Sequence, residues 1–305
     1  MTLSARGPHF GFFFWPWSPG YTRRMAALGE ELGWDLVGIA DTPGNAMDPW
    51  VALTLAATST ARVRLATCVT NLATRHPAIT AGAAASVDAA SGGRMTLGIG
   101  AGHSGVANVG TATSGGADFA EGLRLTRALL AGERTSLGSA IMGLPALARR
   151  VPVYAAASGP RALRAAGSAA DGAFVNYGLQ AQHVEHARAV IAKGAAEARR
   201  SPEEVDTWWI AALDVCDQRD AALDKLGNIL GFVAGYVLGP APAERGVPPE
   251  LVPAVRELRT AYSTRRSDMD PGLVRRLGLF DYLRQRLAVA GTPEDCVEQT
   301  RAAIA

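Results

Sequence analysis

The stretch that decides the fold is VRLATCVTNLATRHPAITAGAAASVDAASGGRMTLGIGAGHSGVANVG, residues 63–110. Its pattern predicts a strand at 63–69, an alanine-rich helix at 77–90 and a second strand at 94–100. The second strand runs into a glycine-rich loop that holds His103 and Ser104. Polar and glycine residues therefore follow the C-terminal ends of two successive strands, which is where α/β folds bind ligands.

Strand and helix patterns alternate in the same way along the rest of the chain. Apolar runs such as 151–157 and 172–177 are typical of parallel strands covered on both faces by helices. About eight strand–helix units predict an α/β fold, a (β/α)8 TIM barrel, with a doubly wound sheet as the alternative. We expect one domain over residues 1–305 with a helical insertion near the C-terminal end, at about 217–286. Residues 136–150 are predicted as an irregular connection and 207–215 as one strand.

Composition argues against several classes of partner. The net charge is +2 and the chain has no run of basic residues, so we expect neither nucleic-acid nor membrane binding. Three cysteines without CxxC spacing indicate a reducing cytoplasm rather than a disulfide framework. The first residues do not have the pattern of a signal peptide, and no motif predicts a metal site.

Two candidate catalytic residues follow strands. Gly100-Ala-Gly102-His-Ser-Gly105 matches GxGxxG, but no helix is predicted directly after it, so we interpret it as a ligand-contacting loop rather than a dinucleotide fingerprint. His103 lies in this loop and Asp41 ends the second strand; a structural histidine and a helix cap are the respective alternatives. His183 and His186 are predicted on a solvated helix without a functional role.

Two further segments suit a ligand. Ser158-Gly159-Pro160 joins a strand to a helix, where free backbone N–H groups favour a phosphate; an ordinary turn with Ser158 as N-cap is the alternative. The aromatic residues at 12–17 form either an apolar pocket wall or core packing. Because side chains alternate along a strand, only half of them can point to one side.

Five short motifs carry a family resemblance: VTN…TRHP (69–77), SGGR…LGIGAG (91–102), ASGPRAL (157–163), AG…ADG (166–172) and GTPED (291–295). With them the chain resembles the bacterial luciferase-like superfamily of flavin- and deazaflavin-dependent oxidoreductases, and within it the methylenetetrahydromethanopterin reductase-like members. The resemblance implies hydride transfer to or from a small organic substrate with coenzyme F420 (a deazaflavin), or with FMN as the alternative. It also implies a homodimer.

The resemblance further implies a non-proline cis peptide at Cys68–Val69, behind the cofactor ring. His103 and Asp41 are the expected catalytic residues, because both follow strand ends on the face where barrel active sites form. The expected cofactor-binding residues are Cys68, Val69, Thr70, Asn71, Gly102, Ser104, Ala157, Ser158, Gly159 and Pro160. The expected substrate pocket consists of Phe13, Trp15 and Thr42.

One departure from the family pattern affects the chemistry. Many deazaflavin-dependent relatives have Asp-His after the second strand, where this chain has Asp41-Thr42. The usual proton donor is therefore absent or replaced. Two alternative functions stay open: a two-component FMN-dependent monooxygenase served by a separate reductase, and a non-catalytic flavin-binding relative.

Overall fold

The computed structural model describes residues 7–145 and 147–304. The first six residues, to which part of the signal-peptide prediction refers, lie outside the described residues. The described chain divides into two compact units: residues 7–156 with 169–172, and residues 157–168 with 173–304.

The first half of the chain alternates strands with helices. In chain order its elements are β1 (Gly11–Phe14), α1 (Pro19–Glu31), β2 (Leu36–Ile39), α2 (Pro49–Ser59), β3 (Arg64–Thr67), β4 (Thr70–Asn71), α3 (Pro77–Ala90), β5 (Met95–Gly100), α4 (Ser104–Ala107), α5 (Gly116–Leu130), β6 (Thr135–Leu137), β7 (Ala140–Met142) and β8 (Val153–Ala157).

The second half is richer in helix. Its elements are α6 (Pro160–Ala169), β9 (Gly172–Val175), α7 (Ala181–Glu197), β10 (Asp206–Trp209), β11 (Ala212–Val215), α8 (Arg219–Val237), α9 (Val252–Ala261), α10 (Leu273–Arg276), α11 (Phe280–Leu287), β12 (Ala288–Gly291) and α12 (Pro293–Ile304). Short 3₁₀ turns lie at 202–204, 243–245, 249–251 and 266–268.

The sheet of the first unit is parallel and follows the order of the chain. Strand β1 pairs with β2, β2 with β3, β3 with β5, and β5 with β8, while the short β4 also pairs with β5. A doubly wound sheet would need a reversal of strand order, and these strands show none. The predicted α/β class is therefore confirmed, and the doubly wound alternative is wrong for these strands.

The strand predicted at 63–69 is interrupted. It divides into β3 and β4 on either side of Cys68 and Val69. At the end of β3 the Thr67 hydroxyl donates to the Gly98 carbonyl at 2.7 Å and accepts from the Gly98 N–H at 2.9 Å. A side chain thus satisfies backbone groups of β5 that a continuous strand would have paired.

Two other sequence predictions need correction. The connection predicted as irregular at 136–150 contains the antiparallel hairpin β6–β7. The single strand predicted at 207–215 is two strands: the Ile210 N–H after β10 donates to Val175 of β9, whereas β11 pairs in parallel with β12. The chain changes partner at the break, and a periodicity argument has no signal for such a change.

The helix starts agree well with the sequence. The Asp48 carboxylate accepts from the N–H groups of Trp50 and Val51, so it caps α2 as expected. At α12 the Asp295 N–H donates to the Thr292 hydroxyl, which confirms Thr292 as the cap. Proline follows the cap in both helices, where its missing N–H has no cost.

The SGGR motif stabilises the end of the sheet opposite the candidate site. Gly92 and Gly93 have φ angles of +69° and +86°, a region that other residues rarely adopt. The Arg94 guanidinium then donates to the carbonyls of Ala57, Thr60 and Val63 at 2.8–2.9 Å. Because these contacts lie before β5 rather than after it, we assign the motif to stability.

The second unit has its own apolar core. It is formed by α8, α9, α10, α11 and β12, with Leu230, Leu258 and Leu283 among its fully buried side chains. The residues between β11 and β12 are thus largely helical and packed together.

Candidate active site

In the first unit, the loops that follow β2, β4 and β5 contact one another. The Asn108 amide donates to the carbonyl of Pro43 at 2.9 Å. A Cβ added to Gly105 would lie 3.0 Å from Nδ2 of Asn71 and 3.3 Å from the carbonyl oxygen of Asp41. The C-terminal ends of these strands therefore form one surface, at the end of the sheet where parallel α/β proteins bind ligands.

Asp41 is the most perturbed acid of this surface. Its Oδ2 accepts a hydrogen bond from the Thr70 hydroxyl at 2.7 Å. Burial raises the pKa of Asp41 above its ordinary value of 3.8, although the Thr70 hydrogen bond and the Arg75 charge act in the opposite direction. Arg75 is itself ion-paired with Asp48, and no cation of the described residues forms an ion pair with Asp41. A carboxyl whose protonated form is favoured in this way can hold and deliver a proton.

Thr42 stands where the family resemblance implies a histidine, and its side chain makes a structural contact. Its side chain is only 4% exposed, and its hydroxyl accepts a hydrogen bond from Nε1 of Trp15 at 3.1 Å. Trp15 in turn lies 5.9 Å, between ring centroids, from Phe13. The three expected pocket residues Phe13, Trp15 and Thr42 are therefore close together.

Strand alternation sorts the aromatic residues of β1 as the sequence predicts. The ring of Phe12 makes an edge contact with Trp34, and the ring of Phe14 makes one with Tyr21. Both side chains therefore lie on the face of β1 that packs against α1 and the residues after it. Phe13 faces the opposite side, where it packs against Gly38: a Cβ there would lie 2.7 Å from the Phe13 Cβ.

The peptide bond between Cys68 and Val69 is cis, which confirms that expectation. The Cys68 Cβ lies 2.8 Å from where a Cβ on Gly38 would stand, so Cys68 shares the face of Phe13. Burial raises the pKa of the Cys68 thiol to about 12. The Cys68 side chain is therefore a neutral thiol and does not suit the role of a nucleophile.

Thr70 and Asn71 are buried and already engaged within the protein. Thr70 orients the Asp41 carboxylate. The Asn71 side-chain oxygen accepts from the N–H groups of Ala73 and Thr74 at 3.0 and 2.9 Å, which fixes the turn after β4. Its amide nitrogen faces Gly105.

The loop after β5 is shaped by a glycine and a short helix. Gly102 has φ +94°, and a Cβ there would come within 2.6 Å of Val106. His103 is half-buried and precedes α4, and its carbonyl accepts from the Ala107 N–H at 2.9 Å. Ser104 is buried as the first residue of α4. The sequence prediction that no helix opens after the GxGxxG match is therefore wrong, although α4 has only one turn.

The turn at the start of α6 belongs to the second unit. Ala157 ends β8, and its carbonyl accepts from the Asn176 N–H. The Leu163 N–H donates to the Gly159 carbonyl at 3.0 Å, so Gly159 rather than Ser158 occupies the N-cap position and Pro160 is the first helical residue. The backbone N–H groups of Arg161 and Ala162 have no carbonyl partner within α6, so this helix start can donate to an anion.

Arg245 lies directly against this turn and was not expected from the sequence. Its Nη1 donates to the carbonyl of Ser158 at 2.7 Å and also bonds Val237. A Cβ on Gly159 would come within 2.6 Å of its Nη2. The Arg245 Nε is buried without a hydrogen-bond partner among the described residues, and burial lowers the pKa of Arg245. Arg245 lies in a segment with five prolines between 240 and 253, and nothing in the sequence of this segment predicts a contact with the turn.

A fully buried arginine, Arg286, holds the Arg245 loop in position. Arg286 is 0% exposed and donates to the carbonyls of Tyr177 and Arg245 at 2.9 and 2.6 Å. His183 lies in the same cluster at 7% exposure, so its predicted solvated position is wrong. His186 is exposed as predicted, but its ring stacks on Tyr177 at 5.3 Å.

The structure thus brings the expected residues together in two groups. Asp41, Thr42, Phe13, Trp15 and the segments 68–71 and 102–104 belong to the first unit, and 157–160 to the second. Within the described ranges, no cluster of His, Cys, Asp and Glu could hold a metal ion. No helix in the same ranges combines the length and apolarity needed to cross a membrane.

Comparison with known families agrees with this geometry. Residues 12–305 match the family described as luciferase-like monooxygenases. The chain belongs to the luciferase-like family. The resemblance inferred from the five motifs is therefore confirmed.

Members of the luciferase-like family that resemble this chain include named F420-dependent oxidoreductases. The 5,10-methylenetetrahydromethanopterin reductase of Methanolobus tindarius is 31% identical, over 94% of this chain and 88% of the relative. The F420-dependent glucose-6-phosphate dehydrogenase of Beutenbergia cavernae is 36% identical over 59% of each. The solved coenzyme F420-dependent tetrahydromethanopterin reductase of Methanopyrus kandleri superposes with a TM-score of 0.77 at 25% identity, covering 97% of this chain and 90% of the other. The expected enzyme class and cofactor class agree with these relatives.

Proposed function

We propose that this chain is an F420-dependent oxidoreductase that transfers a hydride to or from a small organic substrate. The observation that carries the proposal is Asp41. It is a half-buried carboxyl with a raised pKa, hydrogen-bonded to Thr70, on the strand-end surface of a chain whose relatives include F420-dependent oxidoreductases. A hydride-transferring site needs such a group to give or take the substrate proton.

The chemistry of the turn at 158–160 fits the phosphate of such a cofactor. Free N–H groups at the start of α6 and the Arg245 guanidinium make a donor set that suits a phosphate. The Arg245 Nε is buried and has no hydrogen-bond partner among the described residues, which leaves a donor that a bound anion can satisfy.

In the first unit the proposed ring-binding residues are the segment 68–71 with Gly102 and Ser104. Cys68 and Val69 supply a small apolar wall, and a glycine at 102 leaves no side chain in the way. Phe13, Trp15 and Thr42 are proposed to line the substrate pocket.

When bound, a deazaflavin supplies a ring carbon that exchanges a hydride with the substrate. The part of this chain is to position groups and move a proton. Asp41 holds that proton on its carboxyl, and Thr70 orients the carboxyl through its hydroxyl. His103 is proposed to hydrogen-bond the substrate or to act as a second proton-transfer group.

Thr42 does not replace the missing histidine as a proton donor. Its hydroxyl accepts the Trp15 N–H and is buried. We therefore assign the proton transfer to Asp41 and a positioning role to Thr42.

Other expectations from the sequence stand as proposals beside this function. They are a closed (β/α)8 barrel with the helices at about 217–286 as an insertion, a cytoplasmic location and a homodimer. An FMN-dependent monooxygenase with a separate reductase is the alternative function, and the family description supports it. A non-catalytic relative that only binds flavin is the third.

The deciding experiment titrates the purified protein separately with coenzyme F420 and with FMN, using fluorescence and calorimetry. We expect F420 to bind at least about tenfold more tightly than FMN, and the loaded protein to exchange hydride equivalents with an acceptor. Tighter binding of FMN would instead favour the monooxygenase. Binding of F420 without turnover, with any reductant or acceptor tried, would favour the non-catalytic relative.

A further inference from the structure

Three aromatic rings form a continuous row on one side of β1 and the loop after it. The ring centroids of Phe13 and Trp15 are 5.9 Å apart, and those of Trp15 and Trp17 are 6.1 Å apart with the planes within 10°. Trp17 is still 38% exposed. We name Phe13, Trp15 and Trp17 the aromatic row. Flat rings of this size offer apolar area that a planar ligand can cover.

The orientation of the central ring is fixed from the loop after β2. The Trp15 indole N–H donates to the buried Thr42 hydroxyl, so rotation of the ring would break a hydrogen bond. A pre-oriented ring loses little conformational freedom when a ligand stacks on it. Thr42 therefore makes the aromatic row a rigid surface.

The charges around the row do not suit an anionic ligand. In the loops that follow β1, β2, β4 and β5, the one arginine is Arg75, and no lysine occurs. Arg75 is ion-paired with Asp48. The ring of His76 caps α3 by accepting from the Ala78 N–H through Nδ1. Asp41 adds a carboxyl to the same surface. A phosphate or carboxylate group there would meet no uncommitted arginine or lysine of these loops.

We infer that the substrate is a neutral molecule with a flat apolar ring system, which stacks on the aromatic row, and not a phosphorylated or carboxylated compound. This inference rests on the proposed function, because it names the substrate class of the same site. It adds Trp17 to the expected pocket and gives Thr42 the role of fixing Trp15. It also separates this chain from any relative whose substrate carries a phosphate.

The test compares two probes that share a ring system and differ in charge. The F420-loaded protein is titrated by calorimetry with 2-naphthol and with 2-naphthyl phosphate. We expect 2-naphthol to bind at least about tenfold more tightly than its phosphate. Equal or tighter binding of 2-naphthyl phosphate would overturn the inference.

Variants locate the binding surface. Trp15→Leu is expected to weaken 2-naphthol binding about tenfold, Trp15→Phe less, and Thr42→Val several-fold because the indole loses its partner. Phe12→Leu is the matched control, since Phe12 lies on the same strand but packs against Trp34 on the opposite side. Unchanged affinity in Trp15→Leu, or an equal loss in Phe12→Leu, would overturn the proposed location.

The outcome is separable from that of the proposed function. If F420 fails to bind, the function fails, and the probes are then titrated against the protein alone. If F420 binds but 2-naphthol does not, only the substrate class is wrong.

Discussion

At the scale of single residues, the proton chemistry of the proposed site depends on Asp41. The carboxyl combines burial, which favours its neutral form, with one oriented hydrogen bond from Thr70. A carboxyl whose pKa is raised by burial destabilises the folded chain at neutral pH, so stability alone does not favour this environment of Asp41.

We predict that Asp41→Asn lowers turnover by about 100-fold or more without lowering the melting temperature. The amide still accepts from Thr70 but cannot transfer a proton. In the reducing direction, wild-type turnover is expected to fall as pH rises through the raised pKa of Asp41, because the proton is then lost. The pH profile of kcat measures this limb, which the variant should lack.

His103→Ala provides the comparison. If His103 is a proton-transfer group, its loss lowers turnover to a similar extent, while F420 affinity stays nearly unchanged. A variant Asp41→Asn that keeps wild-type turnover and the same pH profile would refute the role given to Asp41.

A second residue-scale prediction concerns His183. Burial, with Arg286 and His186 nearby, lowers the pKa of His183 from 6.5 to about 4. Between these pH values the unfolded chain binds the proton and the folded chain does not, so stability is lost as pH falls from 6.5 to 4. The loss amounts to about 3 kcal/mol.

Denaturant unfolding at a series of pH values tests this effect. His183→Gln should lose about 3 kcal/mol less than the wild type across the interval, because its side chain does not titrate. His186→Gln, on the same helix, leaves burial and Arg286 in place, the two larger causes of the lowered pKa of His183, so most of the wild-type loss should remain. Parallel curves for all three proteins would show that His183 is not the group responsible.

At the scale of elements, the start of α6 depends on a residue far away in the chain. The space beside Gly159 is filled by the Arg245 guanidinium, which Arg286 holds through the Arg245 carbonyl. A side chain at 159 therefore acts on the guanidinium before it acts on the turn itself.

We predict that Gly159→Ala and Arg245→Met each weaken F420 binding by about tenfold or more, and that the double variant is little worse than either single one. The physical reason is that both changes remove the same guanidinium from the turn. Calorimetric titration of the four proteins gives the coupling. Gly20→Ala is the matched control, because no atom lies within 4 Å of a Cβ there.

Independent, additive losses in the double variant would contradict this picture. They would mean that the turn and the guanidinium act on different ligands or by different routes.

Local sequence signals predicted the helices better than the strands. The caps at Asp48 and Thr292 lie within a few residues of the groups they bond, so they can be found in the sequence. The break in the strand after Thr67 cannot be found in this way, because the Thr67 hydroxyl bonds Gly98, which is 31 residues away in the chain. Likewise, Arg245 reaches a turn 87 residues earlier in the chain, and no local pattern encodes that contact.

At the scale of the whole molecule, cofactor binding and stability are linked. A ligand that binds only the folded chain at 100 times its dissociation constant stabilises it by about 2.7 kcal/mol. For a chain of this size we predict a rise in melting temperature of about 5 °C with saturating F420. Differential scanning fluorimetry measures it.

FMN at the same concentration should shift the melting temperature much less. A larger shift with FMN than with F420 would favour the monooxygenase alternative, as tighter binding of FMN in the titration would. Glucose 6-phosphate, which the inferred substrate class excludes, serves as a non-binding control.

The family and the α/β class could be read from the sequence because the motifs at 69–77 and 91–102 occupy strand ends, where backbone geometry restricts residue choice. The position of Asp41 could be predicted for the same reason, since it lies two residues after the end of β2. The role of Thr42 could not be predicted, because its partner Trp15 follows a different strand, β1, and the two side chains meet only in the folded chain.

The close approach of Gly159 and Arg245 should also restrict which substitutions these two positions accept during evolution. Within a set of homologues aligned on this chain, a residue larger than glycine at position 159 should appear together with a shorter side chain at position 245. The two positions are then expected to change as a pair, so that substitutions at 159 and at 245 occur on the same branches of a phylogenetic tree. A glycine at 159 would persist in lineages that retain the arginine and drift freely in those that have lost it.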